Sequence, residues 1–261
     1  MTISKYKKFW NLYKREGIFK ATLTLFNYLY ELPSRRRIKK MSRKEKFSWI
    51  YKNNHWNDKE SVSGSGSTLE YTENLRKHLP NLIKQFKINS ILDAPCGDFN
   101  WMQNVIPSTN CTYIGGDIVE ELIEDLKTKH QNHKVTFLNL DITEQNLPKA
   151  DLMICRDCLF HLSYEDIHKF LANFIKSEIP YLLTTTHINN DDFENQDLGD
   201  GHFFRRIDLF SKPFSFPKET YYSIADWVHP HAKREMCLFS RDQIKKAHEE
   251  SLLITTNVSQ K

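Results

Sequence analysis

From residue 88 onward the apolar positions fall into short blocks separated by longer stretches with a single apolar face. INSILDA (88–94) is a brief apolar run that ends in an acid, and CTYIGGDI (111–118) repeats the pattern. VEELIEDLKTKH (119–130) then places its apolar residues at helical spacing. VTFLNLDI (135–142) and ADLMICRD (150–157) are two further runs, followed by the helical SYEDIHKFLANFIKSEI (163–179) with Ser163 as its N-cap. IPYLLTTTH (179–187) is a fifth run. Short apolar strands alternating with amphipathic helices predict a parallel sheet covered on both faces. The expected fold is α/β, doubly wound and Rossmann-like. REMCLFS (234–240) is expected as a further, edge strand.

The flanks read differently. Within residues 4–32, Phe9, Leu12, Tyr13, Phe19, Leu23, Phe26, Leu29 and Tyr30 recur at roughly helical spacing. Gly17 splits the stretch into two helical pieces and Pro33 ends the second. A dense cationic run, ELPSRRRIKKMSRKEK (31–46), follows. SVSGSGST (61–68) reads as a linker, or as a loop that wraps a ligand because Gly64 and Gly66 let backbone N–H groups come close. A helix is expected over 69–86 with Thr68 as N-cap. Residues 187–218 form a long polar and aromatic insertion after the fifth strand. A loop of that length in a compact domain is usually functional.

Charge sharpens this division. The 261-residue chain carries a net +4, but residues 1–60 hold 16 Lys/Arg against 5 Asp/Glu, a balance of +11, and residues 61–261 hold 21 against 28, a balance of −7. The expected organisation is a basic helical N-terminal extension (1–60) and an α/β domain (61–261). A uniformly basic nucleic-acid binder would not split this way. The aromatic, basic head reads equally as a helix packed on the body and as a peripheral contact with a membrane or a protein through residues 1–46. No window approaches the roughly 18 uninterrupted apolar residues of a membrane span. Five cysteines, an odd number, make no disulfide framework, and the N-terminus lacks a cleavable apolar segment. The expected location is the cytoplasm, with the inner face of the membrane as a peripheral site.

In a doubly wound sheet, ligands bind at the carboxyl ends of the strands. Four successive strand ends carry distinctive residues. The first is Asp93-Ala94-Pro95-Cys96-Gly97-Asp98, where Gly97 permits close approach and two acids favour a cationic ligand over a pyrophosphate. The second is Asp117, 20 positions after Gly97, the spacing of an acid that accepts ribose hydroxyls. The third is Asp141 with Ile142, suited to an adenine amino group and ring. The fourth, Arg156 to His161, lies where the reacting end of a ligand would sit.

From Ile91 to His187 this series resembles the core of the class I S-adenosylmethionine-dependent methyltransferases. The resemblance implies a seven-stranded, mostly parallel sheet with the last strand antiparallel. It implies S-adenosylmethionine (SAM) as cofactor, held by Asp93 to Asp98, Trp101, Asp117, Ile118, Asp141, Ile142 and Arg156, with no metal. Pro95 and Phe99 stand where that family usually has glycine. SGSGS, DAPCGDFNWM, YIGGDI, CRDCLFHLS and LLTTTH together resemble a bacterial subgroup associated with capsule and surface-polysaccharide biosynthesis. In that light the Ser/Gly loop is expected to close over the cofactor or substrate, and the acceptor to be a small molecule or glycan precursor methylated on oxygen.

His161 is a candidate general base and Asp157 a second. The insertion is expected to form the acceptor pocket, with Asn195, Gly201, Arg206 and Asp208 as candidates. Two other readings stand beside methyl transfer. A nicotinamide oxidoreductase would need G-x-G-x-x-G after the first strand, where only Gly97 occurs. A non-catalytic scaffold recruited by the basic head would bind no cofactor.

Overall fold

The computed structural model describes residues 10, 13–14, 17–18, 20, 22, 38, 40–190, 192–199 and 202–258, with 253–258 as backbone. The chain divides into two compact units, Met1–Arg43 with Gly199–His202, and Lys44–Leu198 with Phe203–Lys261. In the first, most of the expected aromatic stripe lies outside the described residues. Trp10 packs on Tyr13 at 5.0 Å, and Gly17 N donates to Tyr13 O at 2.9 Å. Among the described residues no helix is long and apolar enough to cross a membrane.

The second unit is built on seven strands: β1 (Ser90–Asp93), β2 (Thr112–Asp117), β3 (Val135–Asn139), β4 (Leu152–Cys155), β5 (Tyr181–His187), β6 (Tyr222–Ala225) and β7 (Arg234–Ser240). Their order is β3-β2-β1-β4-β5-β7-β6. β1 to β5 are mutually parallel, and β7 runs antiparallel to both β5 and β6. The helices are α1 (Arg43–Lys52), α2 (Glu73–Gln85), α3 (Glu120–His130), α4 (Tyr164–Ser177) and α5 (Arg241–Val258).

Each central strand is apolar on both sides because both sides are covered. On one face Ile91, Tyr113, Ile154 and Leu183 meet Leu75, Leu79 and Leu82 of α2 and Ile123 and Leu126 of α3. On the other, Leu92, Met153, Leu182 and Phe239 meet Ile167, Phe170 and Phe174 of α4 and Ile244 of α5. Ser163 caps α4 as expected, accepting from Asp166 N at 3.1 Å. Acids open α3 and basic residues close it, which complements the helix dipole. α1 lies along α3, with Lys44 to Glu120 at 2.8 Å, Lys52 paired to Glu121 and Tyr51 donating to Asp125 at 3.0 Å. These pairs are exposed and contribute little stability; the buried Ile50 is the firmer anchor.

Two expectations need correction. REMCLFS is strand β7, but it is not the edge: β6 (YSIA) pairs on its far side, so five of the seven β7 residues are buried. α2 begins at Glu73, not near Leu69. Thr68 Oγ1 accepts from Tyr71 N at 3.2 Å and caps a turn that precedes the helix.

Candidate active site

The carboxyl ends of β1, β2 and β4 converge. Asp93 ends β1 level with Gly115 of β2 and Ile154 of β4. It is almost fully buried and accepts from the Tyr113 hydroxyl at 2.8 Å, so it braces the turn from below. Burial pushes its carboxyl up to about 7, against the pull of Tyr113 and Arg156. The chain then turns through Pro95 and Cys96, with Ala94 N and Cys96 N tied to Ile154 O and Gly116 O at 2.9 and 2.8 Å. Gly97 has φ +53, and a Cβ there would collide with the Ser63 hydroxyl.

Asp117 ends β2. Its carboxylate accepts from Gly97 N at 3.2 Å and Val119 N at 3.0 Å, which joins the second strand end to the first. Burial raises its carboxyl to about 6, opposed by the backbone N–H groups of Val119, Gly97 and Ile118. Asp141 accepts from both the backbone N and the hydroxyl of Thr143, at 3.0 and 2.8 Å, and so closes its own turn beyond β3; Ile142 beside it is buried.

The Ser/Gly loop lies across this group. Val62 N donates to Asp98 Oδ2 at 2.9 Å, and Asp98 N donates to Ser63 Oγ at 3.0 Å. At its other end Gly66 O accepts from Arg156 at 2.7 Å. A Cβ at Gly66 would stand 3.0 Å from the Asp157 carboxylate, a tight approach that would press on the charge network. The loop is therefore a strap stitched from the β1 turn to the β4 turn, not a linker. Asn100 fastens its base, donating to Glu60 Oε1 at 2.7 Å and Ser67 O at 3.0 Å.

Behind the β4 turn lies a buried charge network. Arg156 meets Asp226 bidentately, both contacts at 2.9 Å, and its guanidinium lies 5.5 Å from the Trp101 ring. Asp157, at φ +51, ion-pairs with Arg234 at 2.8 Å, and its backbone N donates to Thr185 Oγ1 at 2.9 Å. Arg234 Nε donates to Asp226 O at 2.7 Å. Burial opposes the charges of Arg156 and Asp157, but each is held ionised: Arg156 by Asp157 and Asp226, Asp157 by Arg156 and Arg234. A carboxylate paired in this way is a poor proton acceptor.

His161 sits beside this network on a short turn, Leu159–His161. Its Nδ1 contacts the Phe203 carbonyl, which can only accept, so Nδ1 carries the proton and Nε2 the lone pair. Burial lowers its pKa to about 4, outweighing the Phe203 carbonyl and Asp157. Its ring is walled by Phe160 at 4.5 Å, Trp56 at 5.3 Å and Phe47 at 6.4 Å.

The insertion candidates are placed apart from this centre. Asn195 donates to Asp208 O and Lys212 O at 2.7 and 2.8 Å and accepts from Asp208 N at 2.9 Å; it staples the insertion to itself. Asp208 accepts from Phe210 N at 2.9 Å and Ser211 Oγ at 3.0 Å. Arg206 is exposed over the Phe193 ring, at 5.6 Å. Gly201 lies outside the described residues. Asp226, Arg234, Ser63 and Trp56 were not singled out from the sequence. Asp226, just past β6, and Arg234, on β7, carry no local signal that they pair with a turn about 70 residues upstream.

With this geometry in view, residues 91–177 match the family model described as a methyltransferase domain, about a third of the chain. A SAM-dependent methyltransferase of Leishmania major shares the fold with a TM-score of 0.56, at 15% identity over 76% of this chain and 85% of that one. Human N-acetylserotonin methyltransferase, solved with SAM, gives 0.44 at 14% identity over 70% of this chain and 53% of that one, so the chain spans about half its length. Magnesium protoporphyrin IX methyltransferase of Synechocystis PCC 6803, with bound SAM, gives 0.46 at 12% identity over 66% and 83%. No curated protein matches the chain in sequence. Residues 91–177 therefore match a methyltransferase domain, on a sheet whose fold the Leishmania protein shares. The chain is an enzyme.

Proposed function

We propose that the enzyme transfers a methyl group to an oxygen of a small or glycan-related acceptor, with the cofactor under the 61–68 strap and the acceptor beside His161. The observation that carries this reading is the strap itself, tied at one end to Asp98 in the β1 turn, where Gly97 N meets the Asp117 carboxylate, and at the other to Arg156 in the β4 turn, which leads on to His161. The donor set fits SAM. Gly97 carries no side chain where the turn meets the Ser63 hydroxyl of the strap, Asp117 presents a buried carboxylate for ribose hydroxyls, and the acids at 93, 98 and 117 suit a cationic ligand. Ala94, Pro95, Cys96, Trp101, Ile118, Asp141 and Ile142 would complete the pocket, and Arg156 its strap. When bound, SAM supplies a methyl group made electrophilic by the attached sulfonium.

The protein's part is then alignment and proton management. Arg156 and Asp157, locked by Asp226 and Arg234, hold the β4 turn and the strap in register. His161 is neutral at physiological pH and takes the hydroxyl proton on Nε2. A weak base suffices, because the hydroxyl proton becomes strongly acidic as the oxygen is methylated. Asp157, the other candidate base, serves as the counter-charge in this scheme. His161→Ala is expected to lower kcat by about a hundredfold or more with SAM affinity retained, by the usual size of general-base effects. Full turnover in that variant would remove His161 from the role.

Cofactor affinity should follow pH with a definite sign. Asp93 and Asp117 titrate near 7 and 6, above the ordinary carboxylate range, and only the ionised forms balance the cofactor's positive charge. Protons and cofactor therefore compete, and affinity should fall as pH drops from 8 to 5. Calorimetry with S-adenosylhomocysteine (SAH), which keeps the ammonium group, reads this directly; an affinity flat over that range would contradict the assignment of both carboxylates. Residues 1–46 keep the reading of a peripheral membrane or protein contact at a cytoplasmic enzyme, supported by their charge. Their separation as an extension from a domain over 61–261 is likewise a proposal.

A further inference from the structure

One concavity has no part in the scheme above. On one face of the sheet edge, β7 presents Glu235 and Cys237, paired in register with Thr186 and Thr184 of β5, and Ser223 of β6 lies opposite Cys237. The insertion is pinned over this face. Leu209 N donates to Thr186 Oγ1 at 2.9 Å, and Ile207, Leu209, Phe214 and Phe216 are buried. Between these pins and the sheet edge is a cavity of about 490 Å³, within the roughly 300–1,000 Å³ range of small-molecule sites.

Its walls are polar apart from Ile188, Phe210 and Cys237. Asn189 Oδ1 is buried there and accepts no hydrogen bond from the described residues, an arrangement that calls for a donor from elsewhere. Among the described residues, Glu235 receives only a long contact from the Cys237 thiol, at 3.9 Å. Lys218, Thr220 and Ser223 add donors on the same wall. Hydroxyl groups answer both kinds of partner at once, since each donates one hydrogen bond and accepts others. Asp208 and Glu235 outnumber Lys218, which disfavours a phosphate or a uronate. Phe210 offers an apolar ring face.

We infer that this cavity binds a neutral saccharide unit, as a subsite for the acceptor. His187 connects the two places: it lines the cavity and packs edge-on against Phe160, the neighbour of His161, at 5.3 Å. The assignment deepens the methyl-transfer reading and rests on it for the ligand's role as acceptor.

The test is saturation-transfer NMR on the full chain with unmodified hexoses and N-acetylhexosamines, beside SAH calorimetry. Transfer to the ring protons of at least one sugar is expected. It should be lost in Glu235→Ala and in Ser223→Trp, which fills the cavity from the exposed edge strand, while both variants keep SAH affinity within about twofold. Thermal melting confirms that each variant is folded. No transfer to any sugar, or transfer that survives both variants, overturns the inference. If the sugars respond and SAH does not bind, the saccharide site stands and the methyl-transfer reading falls.

Discussion

Asp117→Ala should lose SAH affinity by about a hundredfold or more, the largest effect on binding expected from any single change. The carboxylate would accept two ribose hydroxyls, and each hydrogen bond to a charged group contributes about 1.5–3 kcal/mol. The same carboxylate also holds Gly97 N at 3.2 Å, so its removal loosens the turn that approaches the cofactor. Asp117→Asn keeps one acceptor oxygen and should fall between wild type and alanine. Calorimetric titration with SAH measures all three, and an unchanged affinity in the alanine variant would remove the ribose assignment.

Asp226→Ala should be the most damaging change to stability. Asp226 is 1% exposed and answers two nitrogens of Arg156, itself 5% exposed. Its removal leaves Arg156 to the more distant Asp157, at 3.6 Å, and breaking a buried pair typically costs about 3–5 kcal/mol. Arg156 would then hold the Gly66 carbonyl less firmly, and the strap would loosen at the β4 end. Urea unfolding is expected to show a lower midpoint at an unchanged slope. SAH affinity should weaken as well, although Asp226 lies behind the cleft. A loss below about 1 kcal/mol would mean that the network is solvated and does not carry the strap.

The sheet was legible wherever burial on both faces wrote an uninterrupted apolar run. INSILDA, CTYIGGDI, VTFLNLDI, ADLMICRD and LLTTTH each became a strand in parallel order; β4 is buried at every position, while β3 at the far edge exposes Thr136 and β5 buries its threonines in the sheet. β6 was not legible. Its four residues bury only Ile224, as an edge strand does, so YSIA carries little signal and REMCLFS took the edge in its place. The strand-end acids could be read because their spacing is local to each βα unit. What they do beyond that is set by contacts far apart in sequence. Asp93 turns onto Tyr113, 20 residues on, and Arg156 onto Asp226, 70 residues later and just past β6. The strap shows the same limit: Ser63 and Gly66 look like linker residues until Asp98 and Arg156 are seen to hold them.

The placement of the cofactor can be tested most directly by a crystal structure of the full chain with SAH. The expected result has the ribose hydroxyls on the Asp117 carboxylate, the adenine beside Asp141 and Ile142, and the 61–68 strap closed over the nucleoside. SAH bound away from Asp117, or bound with the strap lying elsewhere, would contradict it.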